Sequence, residues 1–251
     1  MSPTDYDREA NAYAAARRRD LAANGDRLFR YVAAGIAGRE TVVDAGCGSG
    51  EDLPRLATCA RHVVGVDRSP AMLRLATAYA GPNIELVEGD LQRLPLSPDS
   101  ADAIVSRFAL HYVDDVDAAL ASFAEVLRDG GELILFLPHP CLGDAARGAD
   151  PNGAPTIEVP LFDGALAVRY RSRPLTHFLS DAFHLLFELE AIEEFAVGAG
   201  ATAPTAIGIR ARRRPRSAAG SSRDCASKYP SLGQPNSLGT AEGQENGDHD
   251  R

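Results

Sequence analysis

The chain has 251 residues, of which 45% are hydrophobic and 24% charged, so it is long enough to bury one large core or two small ones. Its formal net charge of −9 argues against a nucleic-acid partner or an anionic membrane, because both bind basic surfaces. No apolar run reaches about 18 residues and the polar N-terminus lacks a signal-peptide pattern, so we expect a cytoplasmic protein with no membrane partner.

The cysteines indicate neither a disulfide framework nor a zinc site. None lies in a C-x-x-C pair and none has a histidine at zinc-ligand spacing, so we expect reduced thiols. Histidines and carboxylates form no short-spaced cluster, and we therefore predict no metal. The four cysteines are Cys47, Cys59, Cys141 and Cys225.

The chain opens with a helical pattern from about Asp5 to Ala34, in which Tyr6 and Tyr13 lie seven residues apart and therefore share a helix face. Short apolar runs rich in Val, Ile and Leu follow. Several lack the alternation of a half-exposed strand, which is typical of strands buried on both faces of a parallel sheet. In chain order the runs are TVVDAG, HVVGVD, IELVEGD, ADAIVSRF, GELILFLP, FELEAIEEF and TAIGIRAR.

Helical patterns separate many of these runs, with apolar residues three and four positions apart. They are EDLPRLATCA, SPAMLRLATAYA and DVDAALASFAEVLRDG. Repeated strand and helix predicts an α/β fold, a doubly wound, seven-stranded, mostly parallel sheet with helices on both faces. Ligands of such sheets bind at the carboxyl ends of the strands, and we expect the site there.

Two segments lie outside this alternation. They are the helical pattern of residues 1–40 and the Gly- and Pro-rich stretch 141–173, which is too long for an ordinary connection. Either both cover the strand ends or they only pad the sheet. We assign residues 1–211 to one domain and 212–251, rich in Ser, Gly, Pro and Asn, to a disordered tail. The arginines at the start of the tail could bind a polyanion, but we favour a solvated basic run that closes the last strand.

The most specific motif is VVDAGCGSG, a buried strand that runs into a glycine-rich turn. Gly46 and Gly48 can adopt positive φ and let the backbone approach a ligand closely, and Asp44 adds a carboxylate. A dinucleotide site would need a third glycine at position 51, where the chain has Glu51. Glu51 and Asp52 would also repel a diphosphate at the helix N-terminus. A nicotinamide-dependent oxidoreductase is therefore disfavoured.

Carboxylates also end the next two predicted strands. Asp67 lies about 20 residues beyond the glycine turn, where a carboxylate can accept both hydroxyls of a ribose. Asp90 follows the third strand, beside the apolar Leu91. A glycine turn alone would be weak evidence, but Asp44, Asp67 and Asp90 at consecutive strand ends converge on one crevice. Such a crevice suits a ligand with a cationic or zwitterionic end.

These motifs resemble the class I S-adenosylmethionine-dependent methyltransferases, and among them the ubiquinone/menaquinone-biosynthesis type. The resemblance spans about Thr41 to Pro138 and rests on VVDAGCGSG, VVGVDRSPAML, IELVEGDLQRLPLSPDSADAIVSRFALHYV and ALASFAEVLRDGGELILFLP. It implies a Rossmann-like methyltransferase fold and S-adenosylmethionine as cofactor. The activity it implies is methyl transfer to a small-molecule acceptor through an O, N or C nucleophile, giving S-adenosylhomocysteine.

The resemblance also implies which residues bind the cofactor. The methionine end falls on the glycine turn and on the residues that close the fourth strand, the ribose on Asp67, and the adenine on the residues after the second and third strands. Arg107 departs from the small or amide residue expected at its position, and either binds the cofactor carboxylate or caps a helix. The implied set is Asp44, Gly46, Cys47, Gly48, Asp67, Arg68, Met72, Asp90, Leu91, Ser106, Arg107 and Phe108.

The sequence gives fewer signals for the residues that bind the methyl acceptor. An acceptor that loses a proton needs a general base, for which we select His139, held between two prolines after the fifth strand, over His111. Both histidines have a structural alternative, and a carbon or carboxylate acceptor needs no base. Tyr6 and Tyr13 would line a helical lid over a site that works best when dry.

The stretch VRYRSR predicts three arginines on one strand face, with Tyr170 on the other. Arg169 or its neighbours would bind an acidic acceptor, with Tyr170 as a further candidate substrate residue, or the arginines would only protect an exposed strand edge. The alternative to an enzyme is a non-catalytic module that binds S-adenosylmethionine, or a partner subunit. The sequence indicates no oligomeric state.

Overall fold

The computed structural model describes residues 5–24, 28–140, 156–162, 164–197 and 203–216. Residues 217–251 of the predicted tail and 141–155 of the predicted insertion lie outside the described residues. Within them the predicted α/β fold is confirmed, because each of the seven apolar runs forms a strand of one seven-stranded sheet.

The strands of this sheet lie in the order β3-β2-β1-β4-β5-β9-β8. From β3 to β5 all pairs are parallel, and β9 runs antiparallel to both β5 and β8. The strands are β1 (Arg39–Ala45), β2 (Ala60–Asp67), β3 (Ile84–Glu88), β4 (Ala101–Arg107), β5 (Leu127–Pro138), β8 (Phe187–Phe195) and β9 (Ala206–Arg213). The chain order reverses between β1 and β4, which is where ligands bind in sheets of this kind.

The helices follow the predicted patterns with two differences. The N-terminal pattern forms two helices instead of one, and EDLPRLATCA supplies only one short turn of helix. Ser69 and Asp115 cap their helices, since each side chain accepts a hydrogen bond from the third residue on, at 3.1 and 2.9 Å. The helices are α1 (Tyr6–Asn24), α2 (Phe29–Ile36), α3 (Leu53–Leu56), α4 (Pro70–Ala76), α5 (Val116–Val126), α6 (Leu175–Phe178) and α7 (Asp181–Leu186).

The core lies on both faces of the sheet, as the uninterrupted apolar runs predict. Adjacent residues of β1 show this: Val42 packs with α2 residues such as Val32 on one face, and Val43 packs with α5 residues such as Phe123 on the other. All four are buried. Successive strand residues point to opposite faces, so a strand that is apolar throughout needs cover on both sides.

A two-stranded hairpin, β6 (Thr156–Leu161) and β7 (Leu166–Arg171), follows the fifth strand. Tyr170 is buried in β7 while Arg169 and Arg171 are exposed, as the alternation predicts. The prediction of three arginines on one face is wrong for Arg173. The strand ends at Arg171, so the alternation stops there and Arg173 is buried.

The last strand runs further than predicted. β9 includes Arg212 and Arg213, which fall in the segment assigned to the tail. Arg213 is only 5% exposed and pairs with Asp129, so the expectation of a wholly solvated arginine run is wrong at this residue. Among the described residues, none of the helices is long and apolar enough to cross a membrane.

Candidate functional site

A cleft of about 730 Å³, open to solvent, lies at the carboxyl ends of β1, β2 and β4 and beside the chain that follows β3. Its position is the one that the strand order predicts. The residues that line it are Tyr6, Tyr13, Gly46, Gly48, Asp67, Arg68, Ser69, Met72, Gly89, Asp90, Leu91, Arg107, Phe108, Ala109, Tyr112 and Val113.

The glycine turn after β1 forms the floor of this cleft. The N–H groups of Gly46 and Cys47 both donate to the carbonyl of Val66, at 2.7 and 3.0 Å, which ties the turn to β2. Gly46 has a φ of +89°, and a Cβ there would lie 2.2 Å from the Cβ of Ala109. Gly48 has a φ of +55°, and a Cβ there would meet nothing within 4 Å. Both positions therefore need glycine, the first for packing and the second for its backbone conformation.

Asp67 holds the turn to the start of α4. Its carboxylate accepts one hydrogen bond from the N–H of Gly48 at 2.8 Å and another from the N–H of Ser69 at 2.9 Å. Burial raises the pKa of Asp67 above its usual value, and these two backbone donors oppose that rise. A carboxylate oxygen has two lone pairs, so both oxygens of Asp67 can accept a further hydrogen bond from a ligand.

Three residues of the predicted cofactor set lie behind the wall of the cleft and do not line it. Asp44 is 3% exposed, and burial, followed by the negative charge of Asp52, raises its pKa to about 8. The hydroxyl of Ser106 donates to the carbonyl of Ala45 at 2.9 Å, and Cys47 lies beneath the turn with its Sγ 3.8 Å from the Gly48 carbonyl.

Arg107 lines the cleft and forms an ion pair. Its Nη1 donates to Asp52 Oδ2 at 2.7 Å, and Arg17 of α1 approaches the same carboxylate oxygen at 3.7 Å. The structure thus shows Arg107 held by Asp52, the residue that precedes α3. Its contact with a cofactor carboxylate remains a prediction.

The remaining wall is largely apolar. Met72 and Leu91 are buried, Val113 closes the far side, and Asp90 accepts a hydrogen bond from the N–H of Gln92 at 2.9 Å. Sequence reasoning missed the five lining residues Ser69, Gly89, Ala109, Tyr112 and Val113. Each lies a few positions beyond the end of a strand that was predicted to border the site. That proximity is the signal by which they could have been identified.

The N-terminal helix covers the cleft. The hydroxyl of Tyr6 donates to that of Tyr112 at 2.7 Å, and the ring of Tyr6 lies edge-on to that of Tyr13, with centroids 5.6 Å apart. Tyr13 in turn contacts Phe162 of the hairpin loop at 5.5 Å. Tyr6 and Tyr13 thus place the N-terminal segment over the cleft, whereas none of the described residues of 141–173 lines it.

A smaller cavity, partly open to solvent, lies beside the carboxyl end of β5. His139 is in it, with Nε2 3.1 Å from Glu194 Oε1, and so is His111, whose pKa burial and then Arg173 lower to about 3. Arg169 lines neither cavity and pairs with Glu158 at 2.8 Å. The lining residues are His111, Pro138, His139, Pro140, Tyr170, Arg171, Ser172, Arg173 and Phe178.

Known proteins are similar to this chain in sequence. A family profile described as a methyltransferase domain matches residues 42–131. An uncharacterised methyltransferase of Geobacillus thermodenitrificans is 30% identical over 131 residues, which cover 51% of this chain and 60% of that protein. The ubiquinone/menaquinone biosynthesis C-methyltransferase of Syntrophotalea carbinolica is 32% identical over 157 residues, covering 58% and 66%. Residues 42–131 therefore form a methyltransferase domain of the class I S-adenosylmethionine-dependent type.

Solved methyltransferases agree in fold. An S-adenosylmethionine-dependent methyltransferase from Mesorhizobium loti superposes with a TM-score of 0.59 at 23% identity, covering 76% of this chain and 99% of that one. At this identity the likeness shows the fold alone. The chain spans about 60% of the length of curated relatives such as the Geobacillus protein.

The residues of the cleft fit the cofactor of this methyltransferase family. Open space beside Gly48, which a side chain would fill, leaves room for a ligand against the backbone. Asp67 offers carboxylate oxygens to ribose hydroxyls, and tyrosine rings over the cleft suit a cation. Among the described residues there is no group of three or more side chains that could hold a metal ion.

Proposed function

We propose that this protein transfers a methyl group from S-adenosylmethionine to an O, N or C atom of a small-molecule acceptor, leaving S-adenosylhomocysteine. The observation that carries the proposal is the contact between Asp67 and the N–H of Gly48 at 2.8 Å, at the edge of a cleft that is partly covered by tyrosine rings. This hydrogen bond joins the glycine turn after β1 to the carboxylate at the end of β2, and the cofactor needs both features.

The cleft would hold the cofactor along its length. Asp67 would bind the ribose hydroxyls, while Arg68, Met72, Asp90 and Leu91 would enclose the adenine. The turn, supported from behind by Asp44, Cys47 and Ser106, would receive the methionine end beside Arg107 and Phe108. When bound, the cofactor supplies a methyl group on a positively charged sulfur.

The chain's own contribution is position and the exclusion of water. In-line displacement needs the acceptor atom aligned with the methyl group, and well-oriented reactants gain roughly 7–11 kcal/mol over free ones. The cover formed by Tyr6, Tyr13 and Tyr112 would keep the site dry, which favours a reaction in which charge is lost. No covalent bond to the protein is required.

His139 would act as the general base when the acceptor atom carries a proton. Its contact with Glu194 orients the imidazole, and the ring lines a cavity next to the cofactor cleft. His111 is the weaker base, because a pKa of about 3 leaves it with little affinity for a proton at neutral pH.

We further propose that the acceptor is small and that the enzyme works in the cytoplasm. The aromatic cover leaves room for an enclosed ligand in preference to a polymer, and the net charge of −9 opposes nucleic acid. Cys47 and Cys59 carry unbridged thiols, which suits a reducing compartment.

The experiment is to incubate the protein with methyl-labelled S-adenosylmethionine and a desalted bacterial extract, with the small-molecule fraction either added back or left out. We expect label in products of low mass only when that fraction is present. Label on protein or nucleic acid would overturn the acceptor class. No transferred label from a protein that binds S-adenosylhomocysteine would favour the non-catalytic module.

A further inference from the structure

Arg173 is a buried cation held by backbone carbonyl groups. The residue is 9% exposed, and its guanidinium donates to two backbone carbonyls, those of Val113 at 2.7 Å and Asp114 at 3.3 Å. Within the part of the chain that the structure describes, it forms no ion pair. The two other enclosed arginines differ, since Arg107 pairs with Asp52 and Arg213 with Asp129.

A buried charge that lacks a counter-ion is costly, so proteins pair such groups or reserve them for a ligand. A guanidinium has five N–H donors, and the two carbonyl contacts of Arg173 leave others for a ligand. Burial, followed by the nearby charge of Arg171, lowers the pKa of Arg173, while the charge of Asp114 opposes this shift in part. An anion in the cavity would offset both the burial and the charge of Arg171.

Arg173 lines the smaller cavity, and so does a second unsatisfied polar group. His111 is 4% exposed, and its Nδ1 has no hydrogen-bond partner among the described residues. The rest of the wall combines the rings of Phe178, Tyr170 and Pro138 with the polar side chains of Arg171, Ser172 and His139. Guanidinium and imidazole groups beside these rings suit a ligand that has an anionic group next to an apolar part.

This cavity lies directly beside the cofactor cleft. Tyr170 contacts His111, with ring centroids 4.6 Å apart, and lies 6.1 Å from Tyr112, which lines the cleft. Val113, whose carbonyl holds Arg173, also lines the cleft. A molecule anchored on Arg173 would therefore extend toward the site of methyl transfer.

We propose that the Arg173 cavity binds the carboxylate of a small apolar carboxylic acid, and that this acid is the methyl acceptor. The acceptor part rests on the proposed function, whereas the binding part does not. The inference moves the anion-binding role from Arg169, which pairs with Glu158 on the surface, to Arg173. A guanidinium suits this role, because its fork can bind a carboxylate through two parallel hydrogen bonds.

The test is calorimetric titration of benzoate into protein saturated with S-adenosylhomocysteine, with benzamide as the neutral analogue of the same shape. We expect benzoate to bind and benzamide to bind at least about tenfold more weakly, because charge-assisted hydrogen bonds to the guanidinium are lost. Arg173→Gln should weaken benzoate by a similar factor. Arg169→Gln, which removes an exposed arginine that lines neither cavity, should not.

Arg173→Lys is a second variant, which keeps the test decisive if Arg173→Gln fails to fold. It keeps the charge and should keep most of the preference for benzoate over benzamide. Equal binding of the two probes to the wild-type protein, no binding of benzoate, or equal benzoate affinity in Arg173→Gln would each overturn the proposal. Each of these results can occur while S-adenosylhomocysteine still binds, so the cofactor site is judged separately.

Discussion

The carboxylate of Asp7 accepts a hydrogen bond from the hydroxyl of Ser69 at 2.7 Å, which joins the first turn of the N-terminal helix to the cap of α4. Asp7 also accepts from the N–H of Ala71 at 3.1 Å. Ser69 in turn donates its own N–H to Asp67. One serine therefore links the cover of the cleft to the carboxylate assigned to the ribose.

Asp7→Ala should loosen the cover without unfolding the sheet. We expect faster amide hydrogen exchange in α1 and unchanged protection in the central strands, since local opening needs only the local contacts to break. Arg8→Ala, at an exposed neighbouring position, is the matched control. The Ser69 hydroxyl lowers the pKa of Asp7 below 3.8, so the contact should persist at pH 4 and weaken only in stronger acid. Equal exchange rates in the two variants would contradict this role.

Asp44 should make the protein less stable as the pH rises. Its pKa is about 8 in the folded state against 3.8 for an ordinary carboxyl, so the folded chain retains a proton that the unfolded chain has lost. This contribution is fully present below pH 3.8, declines by ~1.4 kcal/mol per pH unit and is gone above pH 8.

Asp44→Asn removes that titration. In urea unfolding at pH 5 and pH 8, the wild-type free energy of unfolding should fall by on the order of 3 kcal/mol more than that of the variant. Parallel pH profiles for the two proteins would show that Asp44 is ionised in the folded state.

A comparison of alanine variants at Gly48 and Gly38 distinguishes the effect of backbone strain from the effect of lost ligand contact. Both have positive φ, +55° and +74°, and a Cβ at either would meet nothing within 4 Å. Alanine at either position should cost about 1–2 kcal/mol of stability. Only Gly48 lines the cleft, so only Gly48→Ala should also weaken S-adenosylhomocysteine in calorimetry. A similar loss of affinity in Gly38→Ala would mean that strain alone explains it.

His139→Gln tests the proposed base. For an acceptor that gives up a proton, turnover should fall by about 10²–10⁴-fold while the affinity for S-adenosylhomocysteine stays unchanged. His184→Gln, on the exposed side of α7, should leave both unaffected. Turnover within a factor of two of the wild type would assign His139 to a structural role.

Much of the fold could be predicted because burial of the strands on both faces leaves a recognisable hydrophobic pattern in the sequence. Strands covered on both faces must be apolar throughout, and the topology then fixes their carboxyl ends at one edge of the sheet. Asp67 and Asp90 were found in this way. The paired tyrosines of α1 were found because a spacing of seven residues fixes a helix face.

The rest depends on where an element ends and on contacts distant in sequence. Strand alternation predicted the surroundings of Arg169 correctly and those of Arg173 wrongly, because β7 ends between them. Tyr112 lies in a short 3₁₀ turn after β4 that carries no periodic signal. The contact between Asp7 and Ser69 joins residues 62 positions apart, which no local pattern reveals.

The most direct test of the cofactor cleft is calorimetric titration of S-adenosylhomocysteine into the wild-type protein, Asp67→Ala and Glu88→Ala. Glu88 is the matched control, because it pairs with Asp67 in the register of β2 and β3 but is exposed and does not line the cleft. We expect the wild type and Glu88→Ala to bind equally. Asp67→Ala should bind about 10- to 100-fold more weakly, as lost hydrogen bonds to a charged group predict. No binding to the wild type, or equal binding to Asp67→Ala, would contradict the account.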